Sequence, residues 1–107
     1  MLSDEQLHRL YYKKESGIHG DGLFSRSTFR QGDYMGEYDG PAVSENGSHV
    51  LWVEEGKDDW LARDGKNLLR YINHSREPHA EFIGFELFAM RDIRIDDEIT
   101  IDYGEEP

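Results

Sequence analysis

Glycine interrupts this chain at residues 17, 32, 40, 47, 56, 65 and 84, with Asn46 directly before Gly47, so no apolar segment runs far before the backbone turns. Short strands survive such interruption, because a strand needs only a few residues between turns, whereas a helix needs several uninterrupted ones. Strands are expected at 10–13, 23–25, 33–38, 49–53, 60–62, 80–83, 85–90 and 98–101. Asn46-Gly47 is the strongest hairpin signal. Two helical pieces fit between them. Ser3-Asp4-Glu5-Gln6 has the form of a capping box with Leu7 and Leu10 following at helical spacing, and Leu68, Leu69 and Ile72 share one face over 66–72. The expectation is a mostly β domain of small irregular sheets with little helix. The strand at 98–101 alternates apolar and polar residues and should bury one face.

A chain of 107 residues, 36% hydrophobic, supports one domain over 1–107 with one small core. Aromatics make up 12% and bury more area per residue than aliphatics, which makes a compact fold affordable. Asp+Glu number 23 against 12 Lys+Arg, a net charge of -11. That balance argues against direct nucleic-acid contact, which needs a basic surface. It suits a basic lysine-containing protein or peptide drawn in by long-range attraction, although acidity for solubility alone explains it equally well. No cysteine is present, which rules out disulfides and thiolate zinc sites, and the five histidines fall in no metal-binding spacing. No metal is expected. Met1–Gln6 lacks a charged start leading into an apolar run, and no stretch approaches the roughly 20 apolar residues that span a bilayer. The chain therefore reads as intracellular and off the membrane: cytoplasmic, or nuclear in a eukaryotic host.

Two polar clusters carry the chemistry: Arg70-Tyr71-Ile72-Asn73-His74-Ser75 and Glu98-Ile99-Thr100-Ile101-Asp102-Tyr103-Gly104. Each sets hydrogen-bonding side chains among apolar neighbours in a domain with little interior. Burying an amide, an imidazole and a phenol costs a few kcal/mol unless each is paired. Their grouping points to a ligand site. Taken alone, Asn73 and Ser75 could equally form an Asx-type turn, and Tyr103 could be a core aromatic with its hydroxyl satisfied by backbone. Gly20-Asp21-Gly22 upstream reads as a turn. It is no dinucleotide fingerprint, since Ser25 stands where the third glycine belongs, and no Gly-Lys-Ser/Thr phosphate loop follows.

With Gly20-Asp21-Gly22-Leu23-Phe24 upstream and Glu37-Tyr38-Asp39-Gly40 between, these clusters resemble the SET-domain protein lysine methyltransferases, in the family's order and over nearly the whole chain from about Tyr12 to Gly104. The resemblance implies a SET-like fold in which a knot-like C-terminal segment threads beneath a surface loop and brings Tyr103 beside Asn73. It implies S-adenosylmethionine as cofactor, its amino acid part cradled by the backbone from Gly20 through Asp21, Gly22 and Leu23 to Phe24. Asn73 and His74 would then hold the methionyl amine and the adenine edge. Tyr103 matches the tyrosine that orients the transferred methyl, and Tyr38 a second catalytic tyrosine lining the lysine channel. Tyr71, Ile101 and Phe85 are further channel candidates. Arg70 reads as structural, with Glu98 or Asp102 as the carboxylate partner that a buried arginine needs.

Two departures stand out. Ile101 lies where relatives often carry phenylalanine or tyrosine, at a position influencing how many methyl groups are added; lacking a hydroxyl, it is expected to permit more than one. The chain also stops at Pro107, soon after Tyr103, so the far wall of the channel is expected from a second subunit in a homodimer, from the substrate, or not at all. The leading expectation is methyl transfer from S-adenosylmethionine to a lysine ε-amine on a histone-like or other basic protein. A catalytically weak SET-like module that docks a basic peptide is the alternative, and a small acidic interaction protein with coincidental motifs is a third reading.

Overall fold

The computed structural model describes residues 2–54 and 56–103, so Gly104 lies outside the described residues. Ser3 caps α1 (Asp4–Leu10): its hydroxyl accepts from the Gln6 amide at 3.2 Å, while the Gln6 side chain accepts from the Ser3 amide at 2.9 Å. The reciprocal pair satisfies two donors that a helix start leaves orphaned, which is why so short a helix holds. Leu7 fixes α1 to the core and is fully buried.

Among the described residues ten short strands follow: β1 (Tyr11–Glu15), β2 (Asp21–Ser25), β3 (Tyr34–Glu37), β4 (Ala42–Val43), β5 (Val50–Glu54), β6 (Trp60–Asp64), β7 (Asn73–His74), β8 (Ala80–Ile83), β9 (Glu86–Ala89) and β10 (Glu98–Ile101), with a 3-10 turn at Leu68–Tyr71. They form three small sheets ordered β1-β2-β10-β7, β3-β9-β8 and β4-β6-β5. The mostly β expectation holds, and so does the turn near 66–72. The last strand is inserted between β2, antiparallel to it, and β7, parallel to it. Residues beyond β7 clasp the same strand, with the Ser75 amide on the Ile101 carbonyl at 2.9 Å and the His79 amide on the Thr100 carbonyl at 3.1 Å. This is the knot-like C-terminal arrangement the resemblance implied.

Being interior, β10 is buried on both faces rather than one. Ile99, Thr100 and Ile101 are 0%, 3% and 6% exposed. The isoleucines join the core formed by Leu7, Tyr11, Leu23, Met35, Leu69 and Leu87, while the Thr100 hydroxyl meets the His79 ring nitrogen at 3.3 Å on the other side. Asn46-Gly47 does not join two paired strands. β4 and β5 both pair with β6, which lies between them, and 44–49 instead form a wider bend held by Trp52 Nε1 donating to the Asn46 side-chain oxygen at 3.3 Å. Arg63 ties this third sheet to the rest, bonding Glu37 at 2.7 Å and the Tyr38 carbonyl at 3.0 Å while lying 4.1 Å over the Phe85 ring.

Candidate active site

The pairing of β7 with β10 places Asn73 opposite Thr100 and His74 opposite Ile101. From there the Asn73 amide donates to the His19 carbonyl at 3.0 Å, the Asp21 carbonyl at 3.3 Å and the Glu98 carboxylate at 3.0 Å. Ser16 donates its hydroxyl to the same carboxylate at 2.8 Å. One buried amide thus ties the glycine turn, the last strand and the β1–β2 loop together. Gly22 is what lets the carboxylate in: a Cβ there would fall 2.5 Å from a Glu98 oxygen. The close approach expected of this glycine is filled, within the chain, by Glu98. Gly20, at φ +46°, is in the left-handed region and has open space where a side chain would be. Leu23 is sealed in the core and flanked in the sheet by Lys13 and Ile99, and Gly22 is buried beneath Glu98, so Gly20 and Asp21 form the open part of this segment.

Tyr103 lies across β7. Its backbone amide donates to His74 Nδ1 at 2.9 Å, the two rings are 5.2 Å apart, and its hydroxyl donates to the Ile72 carbonyl at 2.6 Å. It therefore bonds the residues on both sides of Asn73. With Nδ1 accepting the amide, Nε2 is the ring nitrogen left to donate. Asp102 approaches the same ring at 3.7 Å. Although Tyr103 is 61% exposed, its tied hydroxyl end is the part turned inward, and desolvation raises its pKa above the usual phenol value.

Tyr38 is buried to 6% exposure and donates its hydroxyl to the His49 carbonyl. Burial, then the proximity of Tyr103 and Asp64, pushes its pKa up to about 12, against a smaller lowering by Arg70. Gly65 packs flat against the ring, where any side chain would collide with it. The His49 ring meets Tyr71 edge-on at 6.2 Å. His49 was not picked out from the sequence, and a lone histidine at a strand start carries no signal that could have done so. Glu98 was weighed only as a partner for Arg70. For Glu98 that expectation is corrected: the Arg70 guanidinium bonds the Lys66 carbonyl at 2.7 Å, the Asn67 carbonyl at 2.9 Å and the Tyr71 hydroxyl at 2.7 Å, while Glu98 faces Ser16 and Asn73. Partly exposed, the arginine is met by these acceptors. Ile101 packs in the core, and the Phe85 ring carries Arg63.

Two concavities open on the surface. One, of about 830 Å³, is lined by residues 42–50 with Asp64 and Lys66 and so includes His49. The other, of about 500 Å³, includes Lys13, Arg70 and Tyr71 itself. Neither is lined by Asn73, His74 or Tyr103. Among the described residues no three His, Cys, Asp or Glu side chains gather as a metal site, and no helix is long and apolar enough to cross a membrane.

Mostly short strands in three small sheets, a last strand inserted beside an asparagine–histidine pair, and a tyrosine clasped against that pair define a recognisable class. The family model for the SET domain matches residues 20–104. The chain belongs to the SET-domain family. It is 31% identical to Histone-lysine N-methyltransferase ATX2 of Arabidopsis thaliana over 118 residues, covering 89% of this chain and 11% of that protein. It is likewise 31% identical over 119 residues to Histone-lysine N-methyltransferase TRX1 of Oryza sativa subsp. japonica (89% and 11%). To Histone-lysine N-methyltransferase MEDEA of Arabidopsis thaliana it is 27% identical over 111 residues (83% and 16%). The chain thus spans only a small fraction of the length of these relatives.

Proposed function

We propose that this chain transfers methyl from S-adenosylmethionine to a lysine ε-amine of a basic protein, histones being one such class. The observation that carries the reading is the state of the two phenols. Tyr103 spends its proton on the Ile72 carbonyl and Tyr38 on the His49 carbonyl, so each oxygen keeps lone pairs to offer. Both pKa values are raised, so both groups stay neutral through the physiological range. The donor set also fits the cofactor. The Asp21 and Glu98 carboxylates suit an ammonium, and His74 Nε2–H suits an acceptor on a base edge.

When bound, S-adenosylmethionine supplies an electrophilic methyl on a sulfonium. The chain's task is alignment, because an in-line displacement gains most from holding both reactants at close range. Asn73 fixes the glycine turn against β10, and the Tyr103 oxygen, anchored on the strand beside it, would accept weak C–H contacts from a polarised methyl. The acceptor must be neutral. Lysine has a pKa of about 10.4, and shifting it near 7.4 takes about 4 kcal/mol. Aromatic walls at Tyr38 and Tyr71 would contribute by desolvating the ammonium. Acidity around the opening beside His49, including Glu45 and Asp64, would attract the substrate's cations first. Such a substrate places the protein inside the cell, in cytoplasm or nucleus. A second reading, a peptide-docking module without turnover, draws on the exposure of Tyr103, which a second subunit or the substrate would have to cover.

The test is incubation with methyl-labelled cofactor and a panel of basic proteins. Tyr103→Phe should lower transfer at least about 100-fold while leaving the melting transition in place. Equal transfer by the variant would refute the reading. Cofactor binding with no transfer to any panel member would favour the docking module.

A further inference from the structure

The concavity beside Lys13 is out of character for this chain. Of only 12 Lys and Arg in a molecule of net charge -11, four line this one opening (Lys13, Arg26, Lys66 and Arg70), and Asp4 is the only acid among the described residues that line it. Three of the four cations are already engaged. Arg26 bonds the Tyr11 carbonyl at 3.1 Å, Lys66 sits 3.0 Å from Asp64, and Arg70 is spent on two carbonyls and a phenol. Lys13 is different. Its ammonium lies 5.1 Å over the Tyr71 ring and 3.8 Å from the Asp21 carboxylate, longer than a made charge-assisted bond. Both side chains are about half exposed, at 48% and 49%.

The pair is open but well placed. Lys13 is held in register with Leu23 on β1, and Asn73 grips the Asp21 carbonyl at 3.3 Å. A cation and an anion fixed a few ångströms apart, at the junction of a basic hollow and the glycine turn, are complementary to a zwitterion. We propose that Lys13 and Asp21 read the two charges at the amino acid end of the cofactor, Lys13 taking the α-carboxylate and Asp21 the α-ammonium. This rests on the methyltransferase reading and adds a specificity to it: ligands lacking the carboxylate are rejected. Tyr71 serves as the platform that keeps the Lys13 ammonium from swinging into solvent.

Calorimetric titration of the full chain with S-adenosylmethionine and with its decarboxylated analogue tests the assignment. The wild type should bind the analogue at least about tenfold more weakly, the worth of one charge-assisted hydrogen bond. Lys13→Met should weaken S-adenosylmethionine by about the same factor and leave the analogue unchanged, erasing the preference, and Lys13→Arg should restore it. Equal weakening of both ligands by Lys13→Met, or of neither, overturns the assignment while leaving the methyltransferase reading standing. Failure of the wild type to bind either ligand overturns that reading and this one with it. Lys13-dependent binding of inorganic phosphate that does not compete with S-adenosylmethionine would give the hollow to a free anion and likewise overturn the proposal.

Discussion

The β1-β2-β10-β7 sheet and the β4-β6-β5 sheet are made of equally short strands but distribute polarity in opposite ways. In the first, Asn73 and Thr100 are buried among isoleucines and the Asn73 side-chain amide is tied to His19, Asp21 and Glu98. In the second, apolar side chains face outward: Trp52, Trp60 and Leu61 are 38%, 54% and 47% exposed. Buried polar groups cost free energy unless fully paired, so the first sheet is over-determined and intolerant of change. Exposed apolar groups cost little in an isolated domain, so the second should be permissive. Rigidity is concentrated where the proposed chemistry is, and it comes from cross-strand hydrogen bonds rather than from a larger core.

The largest effect is expected at the seam between the two regions. Gly65→Ala would drive a methyl into the Tyr38 ring, which is buried and tied to His49, and should cost about 3 kcal/mol in urea unfolding with a matching loss of methyl transfer. A loss below about 0.5 kcal/mol would mean that Tyr38 moves freely. Next comes Asn73→Ala, which leaves two carbonyls and the Glu98 carboxylate short of a donor. It should cost about 2 kcal/mol and weaken cofactor binding, read by denaturation and calorimetry.

Acid sensitivity should be smaller and should belong to the first region. His79, packed against β10, has its pKa lowered first by burial and then by Arg91, while Asp97 and Glu98 pull the other way. The folded state therefore disfavours the protonated ring relative to the unfolded chain, whose imidazole titrates at about 6.5. Stability is full above that value and declines as pH falls through it toward the lowered one. The urea midpoint should drop between pH 7.5 and pH 5.5 more in the wild type than in His79→Gln, and parallel drops would contradict the assignment. Smallest of all, Trp60→Ser should change unfolding by less than about 0.5 kcal/mol; a loss above about 2 kcal/mol would show that the second sheet is as constrained as the first.

Local features were legible in the sequence and long-range ones were not. The α1 cap lies within four residues, and β8 and β10 end where their apolar runs end, so all three could be read directly. The two-residue strands β4 and β7 have no periodicity of their own and exist only because β6 and β10 pair with them. Asn46-Gly47 misled for the same reason: its flanking strands found a common partner elsewhere. At the site, the motifs named Asn73, His74 and Tyr103, and the structure brings Tyr103 onto His74 and Ile72. The part played by Glu98 depends on the shape of Gly22 across the sheet, and that of His49 on a backbone carbonyl, neither of which a one-dimensional pattern can hold.

The central claim is that the tightly bonded sheet, and not the exposed one, receives the cofactor. Titrating isotope-labelled protein with S-adenosylhomocysteine and following backbone amide resonances tests it most directly. The account expects saturable shifts at Gly20, Asp21, Gly22, Asn73, His74 and Tyr103, with Trp52, Trp60 and Leu61 unmoved. Shifts confined to the Trp52–Trp60 face, or none at saturating ligand, would contradict it.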